Sequence, residues 1–222
     1  MNPDQWRTYL VTQQSLSAGR STETVVEAAV EGGVDAVQLR EKDTSAQHRI
    51  ELGERLRELT GAADIDLIVN DRIDIAYAVG ADGVHLGQTD PSVSTAREIL
   101  GPEATIGVSV STVSEARLAA IGGADYLGVG AVYGTDSKPD AETADDGLGV
   151  DQLAKIADAV TLPIVAIGGV TPENASGPIQ AGASGVAAIS AITAADDPTA
   201  ATHELREAVD AAVENEEGAA DD

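Results

Sequence analysis

The sequence predicts a single (β/α)8 TIM barrel with parallel strands, and three observations carry that prediction. Short β-rich runs alternate with helical segments from end to end of the 222 residues. Most of these runs are continuously apolar rather than alternating, as strands covered on both faces require. Between helix and following strand recur Gly32-Gly-Val-Asp35, Gly80-Ala-Asp-Gly83, Gly122-Gly-Ala-Asp125 and Gly182-Ala-Ser-Gly185. A glycine there accepts the left-handed backbone that terminates a helix. Eight strand–helix units in this length suit a compact barrel. A doubly wound open sheet is the alternative, since strand count alone does not close a barrel.

In chain order the expected strands are 8–12, 36–40, 67–70, 83–86, 105–109, 126–130, 164–167 and 186–189. The first clear helix covers 21–31, where Val25, Val26, Ala29 and Val30 share one face. Thr112-Val-Ser-Glu115 opens another with a capping-box pattern, Ser114 being a rival cap, and Thr171-Pro-Glu-Asn174 a third with Pro at its first position. One domain over 1–213 accounts for all of this. Residues 135–147 form a polar, acidic loop long enough to act as a mobile lid, and 214–222 an acidic tail expected to be frayed or disordered.

Composition narrows the function. Thirty-eight acidic against 13 basic side chains give a net charge of −25, which argues against a nucleic-acid partner. A hydrophobic content of 43% excludes a wholly disordered acidic chain. With no cysteine, disulfides, thiolate catalysis and zinc–thiolate sites fall away together. No apolar run approaches the roughly 20 residues that span a bilayer, and no basic-plus-apolar leader is present, so a cytoplasmic location without a membrane partner is expected. Self-association is left open. The acids fall on exposed helix faces (Glu51, Glu54, Glu58; Glu204, Glu207, Asp210), and only three lysines accompany them, at 42, 138 and 155. That scarcity points beyond an ordinary solvated surface to adaptation to high salt, where self-repulsion is screened. The thermal midpoint is therefore expected to be higher in molar KCl than in dilute buffer; equal midpoints would overturn the halophilic reading.

Polar residues gather at the carboxyl ends of the strands, where barrel enzymes place their active sites. After the second strand, alternation puts Gln38, Arg40 and Lys42 on one face. After the third and fourth come Asn70-Asp71 and Gly87-Gln-Thr-Asp90. Asp71 and Asp90 suit one hard divalent cation, Mg2+, that keeps waters and takes phosphate oxygens, although either could instead cap a helix. His85, inside the fourth strand, reads as a satisfied core or rim histidine. Further round the mouth lie Ser109, then Thr135, Ser137 and Lys138, then Gly168-Gly169, then Ile189-Ser190. The last two pairs occupy the usual phosphate position of a barrel. Two anion sites result, one metal-assisted and one metal-free, suited to two phosphorylated substrates held face to face. No Ser-His-Asp arrangement and no lysine inside a strand suggest a covalent intermediate.

The segments VQLREKD (37–43), VNDR (69–72), GVHLGQTD (83–90), GVSV (107–110), ADYLGVGAVYGTDSK (124–138), PIVAIGGVTPEN (163–174) and GVAAISAI (185–192) together resemble the thiamine-phosphate synthase family. The resemblance implies a barrel transferase of thiamine biosynthesis. It would join 4-amino-5-hydroxymethyl-2-methylpyrimidine diphosphate to 4-methyl-5-(2-hydroxyethyl)thiazole phosphate, releasing pyrophosphate by a dissociative substitution. It also implies that Gln38 contacts the pyrimidine, and that Arg40, Lys42, Asn70, Ser109 and Lys138 hold the diphosphate. Asp71 and Asp90 would bind Mg2+, and Thr135, Ser137, Gly169, Ile189 and Ser190 the thiazole phosphate. Arg40, Lys42 and Lys138 are the catalytic candidates. Ser137 stands where a threonine is common, keeping the hydroxyl, and the loop after Lys138 is unusually acidic. The alternatives are an isomerase of the thiazole tautomerase type, for which diphosphate machinery would be superfluous, and a non-catalytic phosphate-ligand binding protein.

Overall fold

The structure, a computed structural model, describes residues 2–42, 44–135, 137 and 147–220. Eight parallel strands close into a barrel in sequence order: β1 (Thr8–Val11), β2 (Ala36–Leu39), β3 (Asp66–Asn70), β4 (Gly83–Leu86), β5 (Thr105–Val110), β6 (Tyr126–Gly130), β7 (Ile164–Ile167) and β8 (Gly185–Ala188). β8 pairs with β1 through Tyr9 opposite Ala187, which excludes the open sheet. Around it run α1 (Thr22–Glu31), α2 (Ala46–Ala63), α3 (Ile73–Val79), α4 (Val93–Leu100), α5 (Val113–Ile121), α6 (Val150–Ala157), α7 (Ser176–Gln180), α8 (Ser190–Thr193) and α9 (Pro198–Ala220). None is long and apolar enough to cross a membrane among the described residues.

Local chemistry sets the helix ends. Ser21 caps α1 by accepting from the Thr24 amide, and Thr112 and Glu115 complete a reciprocal capping box at α5. One expectation is corrected. The third helix does not open at Thr171: residues 172–175 form turns, and α7 begins at Ser176. The cause is Asn174, whose Oδ1 accepts from the Thr171 amide at 2.9 Å while its Nδ2 donates to the Gly169 carbonyl at 2.9 Å. α9 continues through Ala220, as its alanine and glutamate content favours.

The punctuating motifs do more than end helices. Asp35, Asp82 and Asp125 each turn a carboxylate onto a backbone amide at the foot of the preceding strand, that of Thr8, Leu67 and Ile106 respectively. Each is also paired with an arginine: Asp35 with Arg206, Asp82 with Arg57, Asp125 with Arg97. Three of the scarce cations therefore stabilise the floor of the barrel, leaving few for the mouth.

The barrel interior is closed at its floor by Trp6, which lies 3% exposed and edge-on to Tyr9 and Tyr126, with ring centroids 5.3 Å and 5.0 Å away. Its indole Nε1 donates to Asp66 Oδ2 at 2.8 Å, and burial pushes the Asp66 carboxyl above the usual carboxylate range. Glycines make room for this filling. A Cβ on Gly107 would stand 2.1 Å from Tyr126 Cζ, and one on Gly128 2.7 Å from His85 Cε1. Replacing Gly107 with alanine is expected to cost about 1–3 kcal/mol through overpacking. Urea unfolding in concentrated KCl measures it, and an unchanged midpoint would contradict the tight fit.

Candidate active site

The mouth is assembled from strand ends. Gln38 and Arg40 are 5% exposed, with their side chains inside the barrel rim. The Arg40 amide donates to Thr12 Oγ1 at 3.0 Å, and its guanidinium donates to Gln13 Oε1, so a buried cation is fixed where β2 ends. Glu41 turns the other way. Its carboxylate accepts from the Gln14 amide and from Thr22 Oγ1, anchoring the loop to the start of α1. Lys42 is exposed at the rim, and its carbonyl accepts from Arg49. Arg49 also donates to Thr44 Oγ1 at 3.2 Å, so this guanidinium of α2 braces the cationic loop. Sequence reasoning missed Arg49, because nothing local to α2 signals which loop its side chain reaches.

Arg40, Lys42, Asn70 and Asp71 converge on one small depression of the rim. Asp71 has φ +63°, a left-handed conformation that is uncommon outside glycine and is enriched at functional sites. Its amide donates to the His85 carbonyl at 2.8 Å, tying the end of β3 to β4. Asp90 is half-buried one loop further on, and its Oδ2 accepts from the Gly87 amide at 2.6 Å. Neither carboxylate caps a helix: Ser92 caps α4, and the N-cap of α3 is Arg72, without a side-chain cap bond. Among the described residues no cluster of three His, Asp or Glu side chains forms a complete metal cage. Two carboxylates on adjacent loops beside a cationic rim fit a Mg2+ that retains waters and phosphate oxygens.

Two cavities open from the mouth. The larger, about 260 Å3, is bordered by Ser109, Thr135, Ser137, Gly169, Ile189 and Ser190, which brings the expected thiazole phosphate residues together. Gly168 and Gly169 have φ of +102° and +67°, and a Cβ on Gly168 would stand 2.4 Å from Ala131 Cβ, so only glycine fits there. Ser137 is buried and donates to Ser190 Oγ at 3.1 Å, joining the end of β6 to the start of α8. The expected helix end at Thr171 is absent; the short extra helix α8 opens at Ser190 instead. The smaller cavity, about 40 Å3, is bordered by Gln38, Arg40, Asn70 and Ser109. Lys138 and residues 139–146 of the expected lid lie outside the described residues.

Beneath the smaller cavity runs a chain of buried hydrogen bonds that sequence reasoning did not anticipate. Gln38 Nε2 donates to Tyr9 Oη at 3.0 Å, and Tyr9 Oη lies 3.1 Å from Tyr126 Oη. Tyr126 Oη lies 2.9 Å from His85 Nδ1, and His85 Nε2 lies 2.9 Å from Ser109 Oγ. Burial pushes both phenols well above their ordinary range, so both stay protonated. His85 is the satisfied interior histidine the sequence suggests.

The family model described as Thiamine monophosphate synthase matches residues 8–192. A thiamine-phosphate synthase of Haloarcula marismortui is 58% identical over 92% of this chain and 97% of its own. One from Natronomonas pharaonis is 56% identical over 93% of this chain and 96% of its own. Among solved structures, a thiamine phosphate pyrophosphorylase from Pyrococcus furiosus superposes with a TM-score of 0.86 at 39% identity, covering 95% of this chain and 98% of that one.

Proposed function

Because the chain belongs to the thiamine monophosphate synthase family and is a transferase of thiamine biosynthesis, we propose how its barrel mouth carries out the coupling. The pyrimidine diphosphate occupies the smaller cavity, with its diphosphate against the cationic rim. The thiazole phosphate occupies the larger one. The observation that carries this reading is that the two cavities share a wall: Ser109, Gly128, Ile167, Ala187 and Ile189 border both. Ligands in them would touch, as the two halves of a coupling reaction must.

The bond between the pyrimidine methylene carbon and the diphosphate oxygen breaks first, and its electron pair leaves with pyrophosphate. The aminopyrimidine ring spreads the resulting positive charge, and the thiazole nitrogen lone pair then forms the new carbon–nitrogen bond. No protein base is required. Arg40, Lys42 and Lys138 stabilise the leaving charge, with Asn70 and Ser109 donating to its oxygens. Mg2+ held by Asp71 and Asp90 would neutralise further charge on the diphosphate. Gln38 orients the pyrimidine. Thr135, Ser137, Gly169, Ile189 and Ser190 hold the thiazole phosphate, helped by the backbone amides of the glycine pair. Multiply charged phosphorylated substrates, which cells retain, support a cytoplasmic location.

Incubation with both substrates and Mg2+, followed by detection of thiamine phosphate and pyrophosphate in equal amounts, tests the reading. Conversion of a thiazole isomer without pyrophosphate would favour the tautomerase alternative. Binding without turnover would favour a ligand-binding protein.

A further inference from the structure

The buried chain beneath the pyrimidine cavity has a direction. Gln38 Nε2 donates to Tyr9 Oη, so the Tyr9 proton must go to its other partner, Tyr126 Oη. Tyr126 Oη, already accepting, gives its own proton to His85 Nδ1. An accepting Nδ1 places the ring proton on Nε2, which donates to Ser109 Oγ. Ser109 Oγ then accepts from beneath and has its own proton left to give upward. At the other end Gln38 borders the cavity with its Nε2 engaged by Tyr9, which leaves Oε1 as the acceptor it can offer a ligand.

We propose that Tyr9, Tyr126 and His85 are positioning residues, a one-way relay that holds Gln38 as an acceptor and Ser109 as a donor on opposite sides of the pyrimidine diphosphate. The polarity matches the ligand. Its exocyclic amine offers the proton that Gln38 Oε1 needs, and its diphosphate oxygens accept the proton that Ser109 offers. Reversing any one bond would turn the Gln38 amide around and present N–H to the amine, a repulsive pairing. The three relay residues are deeply enclosed: Tyr9 is 2%, Tyr126 0% and His85 8% exposed. Water is therefore poorly placed to substitute for a missing hydroxyl, so the orientation depends on every member. The packing supports this. Gly107 and Gly128, which have no side chains, face Tyr126 and His85 respectively, so the strand positions opposite both rings are reserved for them.

This inference rests on the pyrimidine occupying the smaller cavity, and the experiment separates the two claims. Calorimetric titration in concentrated KCl with Mg2+, without thiazole phosphate, measures binding of the pyrimidine diphosphate and of an analogue carrying hydrogen in place of the 4-amino group. The parent protein is expected to favour the amino compound by about tenfold, the worth of one hydrogen bond. Tyr126→Phe and Tyr9→Phe are each expected to reduce that preference to within about twofold while leaving thiazole phosphate binding unchanged. The double variant is expected to lose no more than either single one, because a chain broken once is already broken. Retained tenfold selectivity in both folded single variants would overturn the relay, and so would equal losses for the two pyrimidines and thiazole phosphate, which mark a general structural defect. A variant that fails to fold is replaced by His85→Gln under the same criteria. Failure of the parent to bind the amino compound would instead overturn the functional reading, and the relay with it.

Discussion

Exhaustive chelation of divalent cations is expected to lower turnover by about three orders of magnitude and to leave the barrel folded. Charge stabilisation on a leaving diphosphate by a metal is worth several kcal/mol, and each ~1.4 kcal/mol is a factor of ten. The protein has little with which to replace it: the described cations at this depression of the rim are buried Arg40, exposed Lys42 and half-buried Arg49, in a chain of net charge −25. Asp71 and Asp90 sit on adjacent loops at the mouth, and neither is the N-cap of a helix. Turnover measured after EDTA treatment and dialysis, then after return of Mg2+, checks this. A residual rate within tenfold of the starting one would refute the assignment of Asp71 and Asp90, and Asp71→Asn should mimic chelation if the assignment holds.

Lys138→Ala is expected to lower kcat by about 10²–10³-fold, the usual consequence of removing one preorganised donor from a developing negative charge. The case is made by its chain neighbour and by scarcity. Ser137 is buried and hydrogen-bonded to Ser190, so it is anchored at the larger cavity. The sequence contains only three lysines, and Lys138 directly follows Ser137. Steady-state kinetics should assign the loss mainly to kcat, with the melting temperature unchanged. Near-normal turnover would remove Lys138 from the chemistry.

Periodicity and glycine placement made the barrel legible. The continuous apolar runs correspond to β1–β8 within a residue or two at each end, and the Gly-Asp motifs lie at the helix-to-strand junctions. The rim residues were legible for a similar reason: in a barrel, whatever follows a strand is at the mouth. One local reading failed where a side chain competed with a helix signal. Asn174 takes the Thr171 amide, and α7 starts only at Ser176. The relay was illegible because its members are 29, 117, 41 and 24 residues apart, on five different strands. No local pattern joins them. The available hint was a glycine inside a strand, Gly128, a sign that another group approaches closely.

The placement of Trp6 has an optical consequence. It is the only tryptophan in the chain and lies sealed in the floor, in edge contact with Tyr9 and Tyr126. Light absorbed by those two phenols passes to the indole, so ultraviolet-excited emission originates at the end of the barrel opposite the ligands. Intrinsic fluorescence therefore reports on the floor of the barrel, one ring removed from the cavity that Tyr9 and Tyr126 border.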